Sequence, residues 1–135
     1  MSGYLLDTHV LVTVMHSPER IPEGVLRSLA DPAVDRWVSV VSAFEIGVKN
    51  SIGKLDLPPA FERSFQTAYN DVVFDLAAKS LDVRLHHAAR VRTLPLIHRD
   101  PFDRLLIAQA LEEDLILVSN DRHFNTYPGL KVLAA

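Results

Sequence analysis

The stretch Tyr4-Leu5-Leu6-Asp7-Thr8-His9-Val10-Leu11 decides the fold, because a short apolar run ends in a carboxylate and turns at once into a helix. The apolar residues before Asp7 predict a buried strand. Thr8 is suited to cap the helix that follows, which we expect to reach Met15. A buried strand that passes directly into a helix is typical of α/β proteins with a parallel sheet.

The alternation of apolar strands and helices continues along the chain. Further strands are expected at residues 37–41, 115–118 and 130–133, and further helices at 23–29, 42–53, 85–91 and 101–112, with another beginning at 57–59. The strands do not alternate with polar residues, which predicts a parallel sheet covered by helices on both faces. Ser42 and Glu45 have the spacing of a capping box at the start of their helix. Residues 71–83 fit either a helix or a short strand.

The composition excludes several classes of protein. With 135 residues, 48% hydrophobic and 23% charged, the chain can bury the core of a single domain spanning residues 1–135 and is not expected to be disordered. It has no cysteine, which excludes disulfide scaffolds, thiolate nucleophiles and zinc–thiolate sites. No apolar run approaches the roughly 20 residues of a membrane helix. Residues 1–4 lack the features of a secretory signal, so we expect a cytoplasmic protein.

The charge is distributed unevenly. Lys and Arg total 14 against 17 Asp and Glu, and a net charge of −3 is not typical of a dedicated nucleic-acid-binding protein. Residues 84–104 nevertheless contain five arginines and three histidines against two acids, Asp100 and Asp103. This segment is therefore compatible with a local basic face on a mildly acidic protein.

Four acids lie where a parallel sheet would bring them to one edge. Asp7 follows the first strand, Glu45 lies one helical turn past the second, Asp121 comes just after residues 115–118, and Asp103 lies in the first turn of an apolar helix. Ligands of such sheets bind outside the carboxyl ends of the strands. Carboxylates brought together raise one another's pKa unless a cation is present, and an all-oxygen ligand set suits Mg²⁺ or Mn²⁺. The pattern therefore indicates metal-assisted phosphoryl or phosphodiester chemistry.

Each acid also has an ordinary structural explanation as a turn or helix-capping residue. Four such coincidences at strand ends are less probable than one, whereas Asp100 is the expected cap of its own helix. His86-His87 fits a solvated helix face better than a metal pair, because adjacent side chains diverge on a helix. Phe61, Phe65 and Tyr69 have helical spacing and are expected in the core. The five glycines form no phosphate-cradling loop.

Four blocks of sequence occur in a recognisable order, at residues 5–11, 42–49, 98–110 and 118–122. Together they resemble the PIN-domain ribonucleases, in particular the VapC-type toxins of bacterial type II toxin–antitoxin pairs. The third block, which contains His98-Arg99-Asp100-Pro101-Phe102-Asp103-Arg104, is the most specific. Two residues depart from the family pattern: Ser119 stands where Thr is frequent, and His9 stands where the wider family often has Asn or Ser.

The resemblance implies a three-layer α/β/α sandwich with a central parallel sheet and a metal-dependent endoribonuclease activity. The family's acids fall on Asp7, Glu45, Asp103 and Asp121, which would hold Mg²⁺ or Mn²⁺ and act in the cleavage of RNA. Residues expected to support these acids or to contact phosphate are Ser119, Asp100, Arg104 and Arg122, with His98, Arg99 and Lys49 as further phosphate contacts. Lys49 is also correctly spaced to pair with Glu45 on a helix.

The resemblance also implies partners. Toxins of this type are held inactive by a cognate antitoxin, which often presents a basic side chain to the acidic site. They usually form homodimers, and they reach operator DNA only through the antitoxin. No membrane partner is implied.

Two alternatives remain open from the sequence. One is a catalytically silent PIN-fold module that serves in protein interaction, which the presence of all four acids disfavours. The other is a different Mg²⁺-dependent phosphoryl-transfer domain. A response-regulator receiver needs paired acids at the first strand end, where this chain has Asp7 alone. A haloacid-dehalogenase-type phosphatase needs the motif Asp-x-Asp, and here His9 stands in place of the second aspartate. A flap-cutting 5′-nuclease would need a helical arch for which the chain is too short.

Overall fold

A computed structural model describes residues 3–135 and contains a five-stranded sheet in which neighbouring strands are parallel. The strands are β1 (Gly3–Leu6), β2 (Asp35–Ser39), β3 (Lys79–Leu81), β4 (Ile116–Ser119) and β5 (Val132–Ala134). Their order across the sheet is β3-β2-β1-β4-β5, so β1 lies at the centre. Met1 and Ser2, which belong to the segment examined for a secretory signal, lie outside the described residues.

Seven α-helices cover the two faces of the sheet in the described part of the chain. They are α1 (Thr8–His16), α2 (Glu23–Ala30), α3 (Val40–Ser51), α4 (Ala60–Arg63), α5 (Phe65–Asp75), α6 (Leu85–Val91) and α7 (Pro101–Glu112), with 3₁₀ turns at Pro18–Arg20 and Arg122–Thr126. No helix within residues 3–135 combines the length and apolar character needed to cross a bilayer.

Two apolar cores lie on opposite faces of the sheet. Leu5 packs with Leu106 and Leu117 in one core, whereas the adjacent Leu6 packs with Leu11 and other residues of α1, α2 and α5 in the second. Successive side chains of a strand point to opposite faces, so both must be apolar when both faces are covered. This arrangement confirms the predicted α/β sandwich with a parallel central sheet.

The register of the central strands positions the site. Leu6 of β1 is paired with Val38 of β2 and with Val118 of β4. The carboxyl ends of the three strands therefore lie side by side, and the residues that follow them emerge at one edge of the sheet. Asp7 continues this pairing, because its amide donates to the carbonyl of Val118.

Several predicted boundaries are corrected by the structure. Strand β2 ends at Ser39 rather than at residue 41, and the Ser39 hydroxyl caps α3 by accepting a hydrogen bond from the amide of Val41. The capping box predicted for Ser42 and Glu45 is therefore wrong, since both lie inside α3. The predicted cap of α1 at Thr8 is also wrong, because Asp7 caps this helix.

The segment at residues 71–83, which the sequence left open, contains both kinds of structure. Helix α5 extends to Asp75, and the short strand β3 follows at Lys79–Leu81. Ala77 between them has a left-handed conformation with φ of 50°, which ends the helix abruptly. The predicted core role of the α4–α5 aromatics is confirmed, with Phe61 and Tyr69 buried and Phe65 packed against the same core.

Candidate active site

Asp7 lies at the centre of the carboxyl edge of the sheet and is fully buried. Because Leu6 is paired with Val118, the next residues Asp7 and Ser119 also lie side by side. The Ser119 hydroxyl donates to Asp7 Oδ2 over 2.6 Å, and the amide of His9 donates to Asp7 Oδ1 over 3.2 Å. Both oxygens of this carboxylate are thus held by the local backbone and by β4.

Glu45 reaches the same region from α3. The hydroxyls of Thr8 and Ser42 are 2.9 Å apart and join the start of α1 to the first turns of α3. Glu45 lies one turn beyond Ser42 and is fully buried. Its Oε2 accepts a hydrogen bond from Lys49 Nζ over 2.5 Å, whereas its Oε1 is buried without a hydrogen-bond partner.

Asp103 is placed by the first turn of α7. Asp100 caps this helix, as predicted, and its Oδ1 accepts hydrogen bonds from the amides of Phe102 and Asp103. Pro101 occupies the first position of the helix, where a missing amide proton costs nothing. The cap therefore fixes the turn that carries Asp103, which is 6% exposed.

Arg104 does not face the site, and its prediction as a phosphate contact is wrong. It is buried, and its guanidinium donates to the carbonyl of Val91 at the end of α6 and to three carbonyls in the loop ahead of α7, those of Leu94, Pro95 and His98. Arginine has five N–H donors in a fixed plane, which suits it to gather several carbonyls. Arg104 thus fastens this loop to α7.

Asp121 follows β4 and caps the 3₁₀ turn at Arg122–Thr126. Its Oδ1 accepts hydrogen bonds from the amide and the Nδ1 of His123, at 2.9 and 2.8 Å. The His123 ring lies parallel to that of His98 at 6.1 Å between centroids. His98 Nε2, which is buried without a hydrogen-bond partner, is in turn 3.5 Å from Asp103 Oδ2.

The predicted acids lie near enough to affect one another's ionisation. Burial, followed by the charges of Asp100, Asp7, Glu45 and Asp121, raises the pKa of Asp103 to about 8. Burial also raises the pKa of Asp7. At neutral pH the cluster therefore retains a proton, which a divalent cation would displace.

In two neighbouring groups, Lys49 and Asp121, the pKa shifts favour the charged form. Burial opposes the charge of Lys49, but the hydrogen bond to Glu45 and the nearby carboxylates outweigh it and raise the pKa of Lys49. Burial would likewise raise the pKa of Asp121, but hydrogen bonds from His123 outweigh it and lower this pKa. The site thus contains one acid that stays ionised and one lysine that stays charged.

The residues at this edge fit a hard divalent cation. Their donors are carboxylate oxygens, the ligands that Mg²⁺ and Mn²⁺ prefer. The buried Glu45 Oε1 has no hydrogen-bond partner in the protein, and a buried carboxylate oxygen in that condition is costly unless a cation or water serves it. Asp7, Asp103 and Asp121 bring further carboxylates to the same edge of the sheet, although among residues 3–135 no three of these acids place ligand oxygens within 4.8 Å of one another.

A second group with metal-ligand chemistry is formed by His86, His87 and Glu113. Within residues 3–135 it is the only set of three His, Asp or Glu side chains whose ligand atoms all lie within 4.8 Å of one another. His87 Nδ1 accepts a hydrogen bond from the amide of Arg84, which leaves the proton on Nε2, 3.1 Å from Glu113 Oε2. Metal binding at Nε2 would require that proton to move to Nδ1, where the amide already points. These residues therefore form a hydrogen-bonded structural cluster.

The prediction that His86 and His87 form a solvated helix face is correspondingly wrong for His87. This side chain is fully buried, and the two rings lie only 4.2 Å apart between centroids. Both Nε2 atoms lie 3.1 Å from the same oxygen of Glu113, which lowers the pKa of that acid. Adjacent residues of one helix can converge in this way when a residue from another part of the chain, here Glu113, is a shared hydrogen-bond partner.

A basic pocket adjoins the acids. It has a volume of about 270 Å³ and is lined by His9, Lys49 and Lys54, with Thr8 and Ile46 among its other lining residues. An apolar cleft of about 480 Å³ lies on the opposite side of α3. Phe44 and Phe102 line it and form an edge-to-face pair. The acids thus lie between a cationic pocket and an apolar cleft.

Comparison with known families then assigns the chain. The family model described as PIN domain matches residues 4–130. The chain belongs to the PIN-domain family. No curated protein matches this PIN domain closely enough to count as a relative.

Solved structures share the fold of this PIN domain over nearly their whole length. VapBC2 of Rickettsia felis, bound to a DNA fragment from its promoter, matches with a TM-score of 0.72 and 19% identity, covering 100% of this chain and 99% of the other. DNA-bound VapBC of Salmonella typhimurium gives 0.69 and 18%, with coverage of 99% and 98%. FitAcB of Neisseria gonorrhoeae gives 0.63 and 19%, with 96% of each chain covered.

Some residues of the site have no signal in the sequence. Tyr127 lies 29 positions beyond His98, yet its hydroxyl is hydrogen bonded to His98 Nδ1. Lys54 lies past the end of α3 and returns to the site because its amide donates to the carbonyl of Lys49. His123 was also missed, and in its case a local signal exists, because it lies two residues after Asp121 and donates to that carboxylate.

Proposed function

We propose that this PIN domain is a metal-dependent endoribonuclease of the VapC toxin type, acting as a single domain over residues 1–135. The observation that carries the proposal is the buried Glu45 Oε1 without a partner, at the same edge as Asp103, whose pKa is raised by burial and by the surrounding acids. Such a cluster is unfavourable in the absence of a cation. Mg²⁺ is the proposed ion, and Mn²⁺ has the same preference for oxygen ligands.

Asp7, Asp103 and Asp121 would hold the ion, and Glu45 would complete the site. When bound, a divalent ion supplies an activated water and stabilises the charged oxygens of a phosphodiester. The protein requires no side-chain nucleophile for this reaction.

Other residues of the chain keep the acids in position. The Ser119 hydroxyl donates to Asp7 and fixes the direction of its second oxygen. Asp100 holds the first turn of α7, and with it Asp103. Arg122 follows Asp121 and is exposed, so it is available to a phosphate of the substrate.

RNA as the substrate is supported by the charges beside the acids. A cluster of carboxylates alone repels a polyanion, whereas His9, Lys49 and Lys54 line a pocket directly beside Asp7 and Glu45. Phosphate backbones are bound mainly through such cationic side chains. This charge distribution favours a nuclease over a module that binds only protein.

We further propose a cognate antitoxin as the protein partner and the cytoplasm as the location. Structural neighbours are VapBC and FitAcB complexes, two of them bound to DNA, and in this protein operator DNA would be reached through the antitoxin. The acidic site suits a basic side chain of such a partner, because opposite charges across an interface improve both specificity and association rate.

A homodimer is the proposed assembly, and the apolar cleft beside α3 is its proposed interface. Phe44 is 64% exposed, and the neighbouring Val40 and Val83 are exposed as well. Contiguous apolar surface of this kind is unusual on a monomer and marks sites of association. A second copy of the chain is the occupant to which the cleft is assigned.

The test is cleavage of a structured RNA pool by the purified protein in Mg²⁺, in Mn²⁺ and in EDTA. We expect cutting that requires metal and is lost in Asp7→Asn and Asp121→Asn, with the exposed Asp71→Asn as the matched control. Cutting that survives in both site variants would overturn the proposal, because the carboxylates would then have no part in it.

The alternatives give different results in the same experiment. A silent interaction module would bind an antitoxin but would show no cleavage and no growth inhibition on expression. Another Mg²⁺-dependent phosphoryl-transfer domain would leave RNA intact and act on a phosphomonoester, in a reaction that the same acid variants abolish.

A further inference from the structure

The basic pocket beside the acids is lined by residues that the proposed site does not use as metal ligands. Its lining contains two lysines, Lys49 from α3 and Lys54 from the loop after α3, with His9 and Thr8 from α1 as further polar residues and Ile46 and Leu55 among its apolar residues. His9 and Lys54 are exposed at its rim. Among residues 3–135, Lys54 makes no ion pair, so its charge is available to a ligand.

Lys49 occupies the boundary between this pocket and the acids. Its Nζ lies 2.5 Å from Glu45 Oε2, and its side chain is 34% exposed while that of Glu45 is 1% exposed. In this structure the ammonium group is the cation that neutralises Glu45. A divalent ion bound to Glu45 would place a second positive charge against it, and the two charges would repel each other.

We propose that the pocket of His9, Lys49 and Lys54 binds a phosphodiester of the substrate strand next to the one being cut, and that Lys49 leaves Glu45 for this phosphate when a divalent ion takes Glu45. The inference rests on the proposed function, because it assumes a metal-dependent nuclease. Its new content is a phosphate subsite and a lysine that couples metal binding to substrate binding.

The chemistry of the pocket selects phosphate over other ligands. A lysine ammonium is a compact point charge on a flexible four-carbon stem, so it can exchange one oxyanion for another by rotation of side-chain bonds. Lys49 lines the pocket and contacts Glu45 from the same position, so the exchange needs no movement of α3. A single phosphodiester carries one negative charge, as a carboxylate does, but a nucleic-acid strand repeats this charge at each nucleotide and can therefore contact the lysines and the metal site together.

The first measurement is Mn²⁺ affinity by titration calorimetry for wild type, Lys49→Met and Lys54→Met. Lys49→Met removes the competing cation from Glu45, so we expect Mn²⁺ to bind about 3- to 10-fold more tightly. Lys54→Met does not touch Glu45 and is expected to bind Mn²⁺ as the wild type does. Equal or weaker Mn²⁺ binding by Lys49→Met would overturn the proposed competition.

The second measurement is the salt dependence of binding to a fluorescein-labelled single-stranded RNA with phosphorothioate linkages, which keep the backbone charge and resist hydrolysis, and a gel checks that the strand is intact after each reading. Each phosphate contact contributes about 0.7 to the slope of log K against log salt for a single strand. We expect Lys49→Met to reduce this slope by about that amount in Mn²⁺ but not in EDTA, where Lys49 remains with Glu45. Lys54→Met should reduce it in both conditions.

Controls separate the possible failures. Lys131→Met removes an exposed lysine that pairs with Asp114, and it should change neither Mn²⁺ affinity nor the salt slope. Lys49→Arg keeps the charge and should retain the slope in Mn²⁺. If wild type neither binds Mn²⁺ nor cuts RNA, the proposed function fails; if it does both but Lys49→Met leaves the slope in Mn²⁺ unchanged, only the phosphate subsite fails.

Discussion

The substitution Asp103→Asn tests whether the acids form a desolvated cluster. Burial and four neighbouring carboxylates raise the pKa of Asp103 from 3.8 to about 8 in the metal-free protein. An unfolded chain ionises this group at its ordinary pKa, so between these two values the folded state holds a proton that the unfolded state has released. The stability of the wild type therefore falls as the pH rises from 4 to 8 in EDTA.

Asparagine has nearly the same shape as aspartate and does not titrate, so the stability of the variant does not fall in this way between pH 4 and 8. Four powers of ten in the proton-dissociation constant correspond to an upper bound of about 5–6 kcal/mol. Local relaxation and entry of water reduce such figures, and we expect about 1–3 kcal/mol of added stability at pH 8. The gain should be near zero at pH 4 and should grow through the interval.

The assay is urea denaturation in EDTA across pH 4 to 8.5, with the exposed Asp71→Asn as the control. Saturating Mg²⁺ should reverse the order of stability, because it stabilises the folded wild type by mass action and lacks a ligand in the variant. A gain that is absent at pH 8, or that is the same at every pH, would refute the description of Asp103 as part of a crowded, buried acid cluster.

Three further substitutions test separate parts of the structure. Arg104→Met should lower the free energy of unfolding by about 2–4 kcal/mol in urea, because four backbone carbonyls lose their donor; an unchanged midpoint would contradict this anchoring role. Ser119→Ala should weaken Mn²⁺ binding about tenfold in calorimetry, with Ser119→Thr restoring it; equal affinities would show that the hydroxyl does not orient Asp7. Phe44→Ser should shift the mass in light scattering from dimer to monomer with Mn²⁺ affinity unchanged, whereas a variant that remains dimeric would move the interface elsewhere.

Local patterns were sufficient for much of the fold and for the placement of the acids. An apolar run ending in Asp7 predicts both a buried strand and the position of the carboxylate, because the chain leaves the sheet at that residue. Asp100-Pro101 likewise predicts the start of α7, since capping and the missing amide of proline act within one turn. These signals are contained in a few adjacent residues.

The sequence predictions were wrong where contacts between residues far apart in the chain determine the local structure. The apolar pair Val40-Val41 favours a strand, yet Ser39 caps the helix there and Ser42 is committed to a contact with Thr8, 34 positions away. Arginine is usually exposed on a helix, so the sequence gives no sign that Arg104 is buried. Its burial depends on backbone carbonyls ahead of α7, and no local pattern predicts where they lie. The burial of His87 likewise depends on a distant residue, because its partner Glu113 lies 26 positions further along the chain.

The central claim is tested most directly by the position of a bound metal. The measurement is anomalous diffraction from crystals soaked in manganese chloride, collected above and below the manganese absorption edge. We predict a peak among the carboxylates of Asp7, Asp103 and Asp121. A peak only beside His86 and His87, or none at the acids in saturating Mn²⁺, would contradict the account.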